Sequence, residues 1–192
     1  ITAALRARGL TLSSLVQGAW ALLLSRYGGG RDVLFGVTVA GRPAEVPGIA
    51  EMVASCINTL PARVAIPRGT PAGEWLAGLM AAQARRDAMG FLDLAELTRL
   101  AELPPATPLF DSLVLVQNYP VDDPGGEAGP GLGFADFEFR ERTNYGLTVV
   151  VSPLGRELLL SLAHDPARHG RAAARRILEH LRNLLLGLAR EA

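Results

Sequence analysis

A chain of 192 residues, 49% hydrophobic and 20% charged, is long and apolar enough to bury the core of one domain of ordinary size. Its 19 Arg and Lys balance 19 Asp and Glu, so no excess of either sign recommends nucleic acid or an anionic membrane as a partner. The single cysteine, Cys56, excludes an internal disulfide and any multi-thiolate metal site and fits a reducing cytoplasm, and the longest apolar runs, 19–24 and 147–151, are far too short to span a bilayer.

In chain order, residues 1–8 read as the tail of a helix, with Gly9 at its C-terminal cap and no start signal ahead, which predicts an excerpt of a longer chain. Thr11 is the expected N-cap of a helix through about Tyr27, because Leu12, Leu15, Val16, Ala19, Leu22 and Leu23 recur at helical spacing and Gly28-Gly29-Gly30 stops it. The period then changes. Residues 33–40 are rich in β-branched side chains and form a strand, and 57–66 form a second whose Pro61 predicts an edge or a bulge. Thr70-Pro71 opens a helix with Trp75, Leu76, Leu79 and Met80 turned inward, and a shorter helix covers 93–101.

Residues 112–118 are almost continuously apolar, as in a strand covered on both faces. The Gly- and Pro-rich stretch 121–133 is a loop, and 134–142 alternates Phe137 and Phe139 with Asp136, Glu138 and Arg140 as a half-exposed strand does. Strands over 145–152 and 157–163 follow, joined by a turn at 153–156. A long amphipathic helix from 171 to about 190 closes the chain, with Ile177, Leu181, Leu185 and Leu188 on one face. The pattern is α/β, a mixed β-sheet with helices packed against it.

Familiar catalytic signatures are absent from these residues. There is no Gly-x-Gly-x-x-Gly between strand and helix, no phosphate loop, no Cys-x-x-Cys and no Gly-x-Ser-x-Gly elbow. His164 precedes Asp165 at a strand end, where neighbours point to opposite faces and make a poor orienting pair. His169 and His180 read as surface groups, and Cys56, with no cationic neighbour in sequence, as a structural thiol. Arg42, set between Gly41 and Pro43 at the end of a strand, reads either as a grip for a phosphate or carboxylate or as a solvated turn residue.

Five stretches carry a resemblance: TLSSLVQGAWALLLSRYGG from Thr11, RDVLFGVTVAGRPAEVPGIAEMV from Arg31, INTLPARV from Ile57, PLFDSLVLVQNYP from Pro108 and TNYGLTVVV from Thr143. In that order they resemble the C-terminal lobe of condensation domains of nonribosomal peptide synthetases, a chloramphenicol-acetyltransferase-like fold, over essentially the whole chain. The resemblance implies that residues 1–192 are one such lobe. In that family two lobes meet in a V around a tunnel, which admits the phosphopantetheine arms of donor and acceptor carrier proteins. The acceptor amine attacks the donor thioester there and a peptide bond forms. The family's His-His-x-x-x-Asp-Gly motif belongs to the other lobe, and no two adjacent histidines occur in this chain.

The implied partners are therefore the N-terminal lobe, peptidyl and aminoacyl carrier proteins and an adjacent adenylation domain, in a cytoplasmic pathway of antibiotic biosynthesis. The chain itself is expected to bind no cofactor and to be inactive alone. A lobe from an epimerising, cyclising or partner-recruiting relative is the alternative. The resemblance places Gly41, Arg42 and Pro43 in a floor loop beneath the tunnel, with an interlobe structural role for Arg42 favoured over phosphate binding, and residues 121–133 and the strand after them at a latch that crosses to the other lobe. It also nominates Cys56, Asn58, Asn144 and Tyr145 as tunnel positions. Asn58 and Asn144 either offer an amide to the pantetheine arm or satisfy backbone at a strand end. The family often has a bulky residue where this chain has Cys56, and Pro where it has Gly146.

Overall fold

The computed structural model describes residues 1–42, 46–49, 51–104, 107–117, 143–154 and 157–192. Pro43, the loop 121–133, the strand predicted at 134–142 and the turn residues 155 and 156 lie outside the described residues. The elements run α1 (Thr2–Ala7), α2 (Leu12–Gly28), β1 (Asp32–Val39), β2 (Asn58–Ala65), α3 (Ala72–Asp87), α4 (Leu94–Leu100), β3 (Ser112–Val116), β4 (Leu147–Leu154), β5 (Glu157–His164) and α5 (Arg171–Glu191).

The five strands form one mixed sheet in the order β2-β1-β3-β4-β5. The central β1, β3 and β4 run parallel, while β2 and β5 pair antiparallel at the two ends. β2 keeps an unbroken register with β1, Pro61 opposite Gly36, so Pro61 marks an edge strand and makes no bulge. A proline is tolerated there because its missing N–H falls on the outer side of the last strand.

Alternation along each strand divides the sheet into two unlike faces. Phe35 and Val37 of β1, Leu60, Ala62 and Val64 of β2, Val114 of β3, and Val149 and Val151 of β4 point to one side, into a single core with Trp20, Leu76, Leu181 and Leu185 from α2, α3 and α5. Thr11 caps α2 by accepting the Ser14 N–H at 3.1 Å, and Gly29, left-handed at φ 75°, ends it. Two polar joints lock this helical layer. Trp20 Nε1 donates to the buried Ser112 Oγ at 3.1 Å, fixing α2 to β3. Between α2 and α3, Arg86 donates to Gln17 Oε1 at 3.1 Å while Gln17 Nε2 donates to Ser13 and Gln83; burial pushes the Arg86 guanidinium pKa down, with Asp87 opposing that shift.

The opposite face receives no described helix. It presents Leu34 and Gly36 of β1, Leu113 and Leu115 of β3, Thr148 and Val150 of β4 and Leu159 of β5. β4 begins at Leu147, two residues later than expected, because Asn144–Gly146 bend instead of extending.

Candidate functional site

The predicted site residues fall into two clusters. The first is the loop between β1 and β2. Gly41 is left-handed at φ 60°, and a Cβ there would collide with the Cys56 carbonyl oxygen, so the loop closes its own neck, backbone against backbone. Arg42 reaches along the same loop and donates to the carbonyls of Ile49 and Ala54. Among the described residues both guanidinium contacts run to the loop's own backbone, so Arg42 braces the loop from within. The Cys56 side chain is half-buried and its thiol is free.

Asn58 opens β2 and spends its amide on the protein. Its Nδ2 donates to the carbonyls of Gly90 at 2.8 Å and Leu92 at 2.7 Å, and its Oδ1 accepts the Thr59 N–H at 2.8 Å. Of the two roles read for it, backbone satisfaction is the one built here: Asn58 clamps the α3–α4 connection to the sheet. Asn144, by contrast, is exposed and makes no side-chain hydrogen bond among the described residues.

The second cluster surrounds Tyr145. Gly36 leaves room for the ring of Phe110, which fills the space that any Cβ at that position would need. Tyr145 stacks on Phe110 with ring centroids 5.5 Å apart, an offset-stacking distance. Burial raises the Tyr145 phenol pKa, and the Thr59 side chain works against that rise.

The turn carrying Tyr145 is held from behind. Asp111 Oδ1 accepts the Gly146 N–H at 3.2 Å and an Arg168 Nη1 hydrogen at 2.6 Å, while Arg168 Nη2 lies 2.5 Å from Oδ2. Arg168 therefore grips the carboxylate with two nitrogens. The hydrogen bond from Arg168 holds the Asp111 carboxyl below its usual range against a smaller desolvation penalty, with the Gly146 N–H helping. A Cβ on Gly146 would meet Asp111 Oδ2 at 2.8 Å and Arg168 Nη1 at 2.9 Å, so the ion pair fills the space a side chain would need.

Phe110, Asp111, Thr59 and Arg168 were not among the residues nominated from sequence. Gly36, a glycine inside an apolar strand, was the available signal, since such a position marks a close approach by another group. His164 and His180 stand elsewhere, while His169 follows Arg168 and its charge helps lower the Asp111 pKa. His164 lines an open groove of about 500 Å³ between β5 and α5, with Arg171 and Arg175. Asp165 turns away from it to accept the Ala167 N–H at 3.0 Å, so the two form no pair, as expected. His180 is not merely solvated: its Nδ1 lies 3.0 Å from the Tyr27 hydroxyl. No grouping of three or more metal-ligating side chains occurs among the described residues, and no helix among them is long and apolar enough to cross a membrane.

Comparison with known proteins shows the family and the fold. A family model described as Condensation domain matches residues 1–192. A linear gramicidin synthase of Brevibacillus parabrevis is 40% identical over 185 residues, which is 96% of this chain and 2% of that protein. Chondramide synthase cmdD of Chondromyces crocatus is 40% identical over 181 residues, covering 94% of this chain and 5% of that one. The crystal structure of the first condensation domain of the CDA synthetase superposes with a TM-score of 0.74 at 22% identity, covering 98% of this chain and 42% of that structure. A holo four-domain nonribosomal peptide synthetase bound to AMP and glycine gives 0.81 at 13% identity, over 97% of this chain and 15% of that one. The chain thus spans a small part of the curated synthases it matches and less than half of a solved condensation domain.

Proposed function

This chain belongs to the condensation-domain family, and on that premise we propose that it is the C-terminal lobe of such a domain in a nonribosomal peptide synthetase. It supplies one wall of the tunnel where a carrier-bound acceptor amine attacks a carrier-bound donor thioester. The amine nitrogen forms the amide bond, the carbon–sulfur bond breaks, and the donor's pantetheine thiol leaves with the proton that the amine gives up. The general base or transition-state stabiliser for that proton belongs to the other lobe, because no two adjacent histidines occur in this sequence.

The observation that carries the reading is the two-faced sheet. Helices α2, α3 and α5 cover one side, while the other receives no described helix and has Tyr145 stacked on Phe110, with Leu113 and Thr148 buried and Leu34 and Leu159 exposed. Such a face suits contact with a long, neutral, amide-bearing arm. Asn144 is exposed and makes no side-chain hydrogen bond among the described residues, whereas Asn58 is committed to Gly90 and Leu92. The partners that follow are the N-terminal lobe, aminoacyl and peptidyl carrier proteins, and an adenylation domain that loads them.

The test mixes this chain with the separately expressed complementary lobe and loaded carrier proteins, and follows peptide-bond formation by mass spectrometry. Product in the mixture and in neither half alone is expected. Association of the lobes without product, with carriers shown to be competent, would refute peptide-bond formation and leave a recruiting or epimerising relative.

A further inference from the structure

We propose that Asp111 and Arg168 are a positioning pair that fixes the Asn144–Gly146 turn, and with it Tyr145, as a substrate-facing wall; the inference rests on the function proposed above. Both backbone groups of Gly146 are held. Its N–H donates to Asp111 Oδ1 at 3.2 Å, and its carbonyl accepts the Asp165 N–H at 3.0 Å. The loop that supplies Asp165 also supplies Arg168, whose own N–H donates to the Asp165 carbonyl at 3.1 Å, so one short turn places both the backbone donor and the guanidinium. On the other flank, the Thr143 and Thr148 hydroxyls meet at 2.6 Å. Asp111 directly follows Phe110, on which the Tyr145 ring stacks. Residues 110 and 111 therefore hold the turn twice, by ring and by carboxylate.

Two features separate this arrangement from an ordinary surface ion pair. First, the pair occupies the space that a Cβ at Gly146 would take, so the carboxylate and guanidinium sit directly against the backbone of the turn. Second, the bond to Asp111 needs a backbone N–H at 146, which a proline would lack. The Arg168 and Asp111 side chains are 51% and 42% exposed, and pairs so exposed contribute little to stability. The loss of this one is expected to appear in positioning rather than in melting.

The experiment uses the full synthetase, with kcat and KM measured for condensation with a carrier-bound acceptor. Arg168→Gln is expected to lower kcat/KM by about tenfold, within the range that displacement of a positioning group produces. Arg168→Lys should restore most of that loss by keeping the charge. The decisive arm is a double-mutant cycle: in a Tyr145→Leu background, Arg168→Gln should cost almost nothing further, because the pair acts through the ring it positions. Should Arg168→Gln fail to fold, Asp111→Asn enters the same cycle. Additive losses in the cycle, or a loss that follows a fall in melting temperature, would overturn the positioning role while leaving the proposed function intact. A wild-type synthetase that makes no peptide bond would overturn the function and this inference together.

Discussion

At the scale of single residues, two asparagines of similar promise have opposite fates. Asn58 makes three hydrogen bonds to backbone, and its replacement by Ala would leave the Gly90 and Leu92 carbonyls without their donor. A cost of about 1 to 3 kcal/mol is expected, read by urea denaturation of the chain. Asn58→Asp should be worse, since a carboxylate would face the same two carbonyls. Asn144→Ala, at an exposed position with no such bonds among the described residues, should leave the denaturation midpoint unchanged. Asp111 gives a pH signature. Its carboxyl is held below the usual range in the folded chain, so the stability it contributes is complete above the unfolded carboxylate value of about 4 and drains as pH falls through the lower folded value. Arg168→Gln removes the largest cause of that depression. Because the pair is half-exposed, acid unfolding followed by circular dichroism should then begin at only slightly higher pH than in the parent, with the neutral-pH melting temperature almost unchanged; coincident acid curves would show the carboxylate to be held by something else.

At the scale of elements, what the sequence made legible and what it hid have a common physical cause. The periodicities of α2 and α5 and the apolar strands β1, β3 and β4 follow from local pattern, because each must bury one stripe or face in the same core. Gly41 could be named from its neighbours, since a glycine between a strand and Arg-Pro announces a turn. The Tyr145 cluster could not be assembled that way. Arg168 and Asp111 stand 57 residues apart in sequence and Asp111 and Gly146 stand 35 apart, so the pairings of β3 with β4 and of β4 with β5 are both needed to bring them together. The joint between α2 and β3 is of the same long-range kind and can be tested by itself. Trp20→Phe strands the buried Ser112 hydroxyl and Ser112→Ala strands the indole N–H, each at a cost of about 1 to 3 kcal/mol. Because the double variant leaves neither group unpaired, its loss should be smaller than the sum of the singles in denaturant melts. Simple additivity would mean that the hydrogen bond does not couple helix to sheet.

At the scale of the whole molecule, the two faces of the sheet decide how the chain behaves outside its context. The helix-covered side has every large apolar side chain of the core withdrawn from water, whereas on the other side Leu159 is 57% exposed and Leu34 36% exposed. Beyond the strand ends, Ile57 at 61% and Phe91 at 75% extend apolar surface around the Asn58 clamp. Scattered exposed leucines are ordinary, but apolar residues spread over a sheet face and its adjoining loops mark a surface that a partner covers. The chain expressed alone is therefore expected to self-associate with rising concentration in light scattering. Adding the complementary lobe should convert those assemblies into a one-to-one complex, because the specific surface competes with the non-specific one for the same area. Leu159→Lys together with Phe91→Glu should suppress self-association without lowering the melting temperature, since neither side chain belongs to the helix-side core. A chain that stays monomeric at concentrations of tens of micromolar, with the parent residues in place, would mean that this face tolerates water. The case for a lobe built to close one side of a tunnel would then lose its main support.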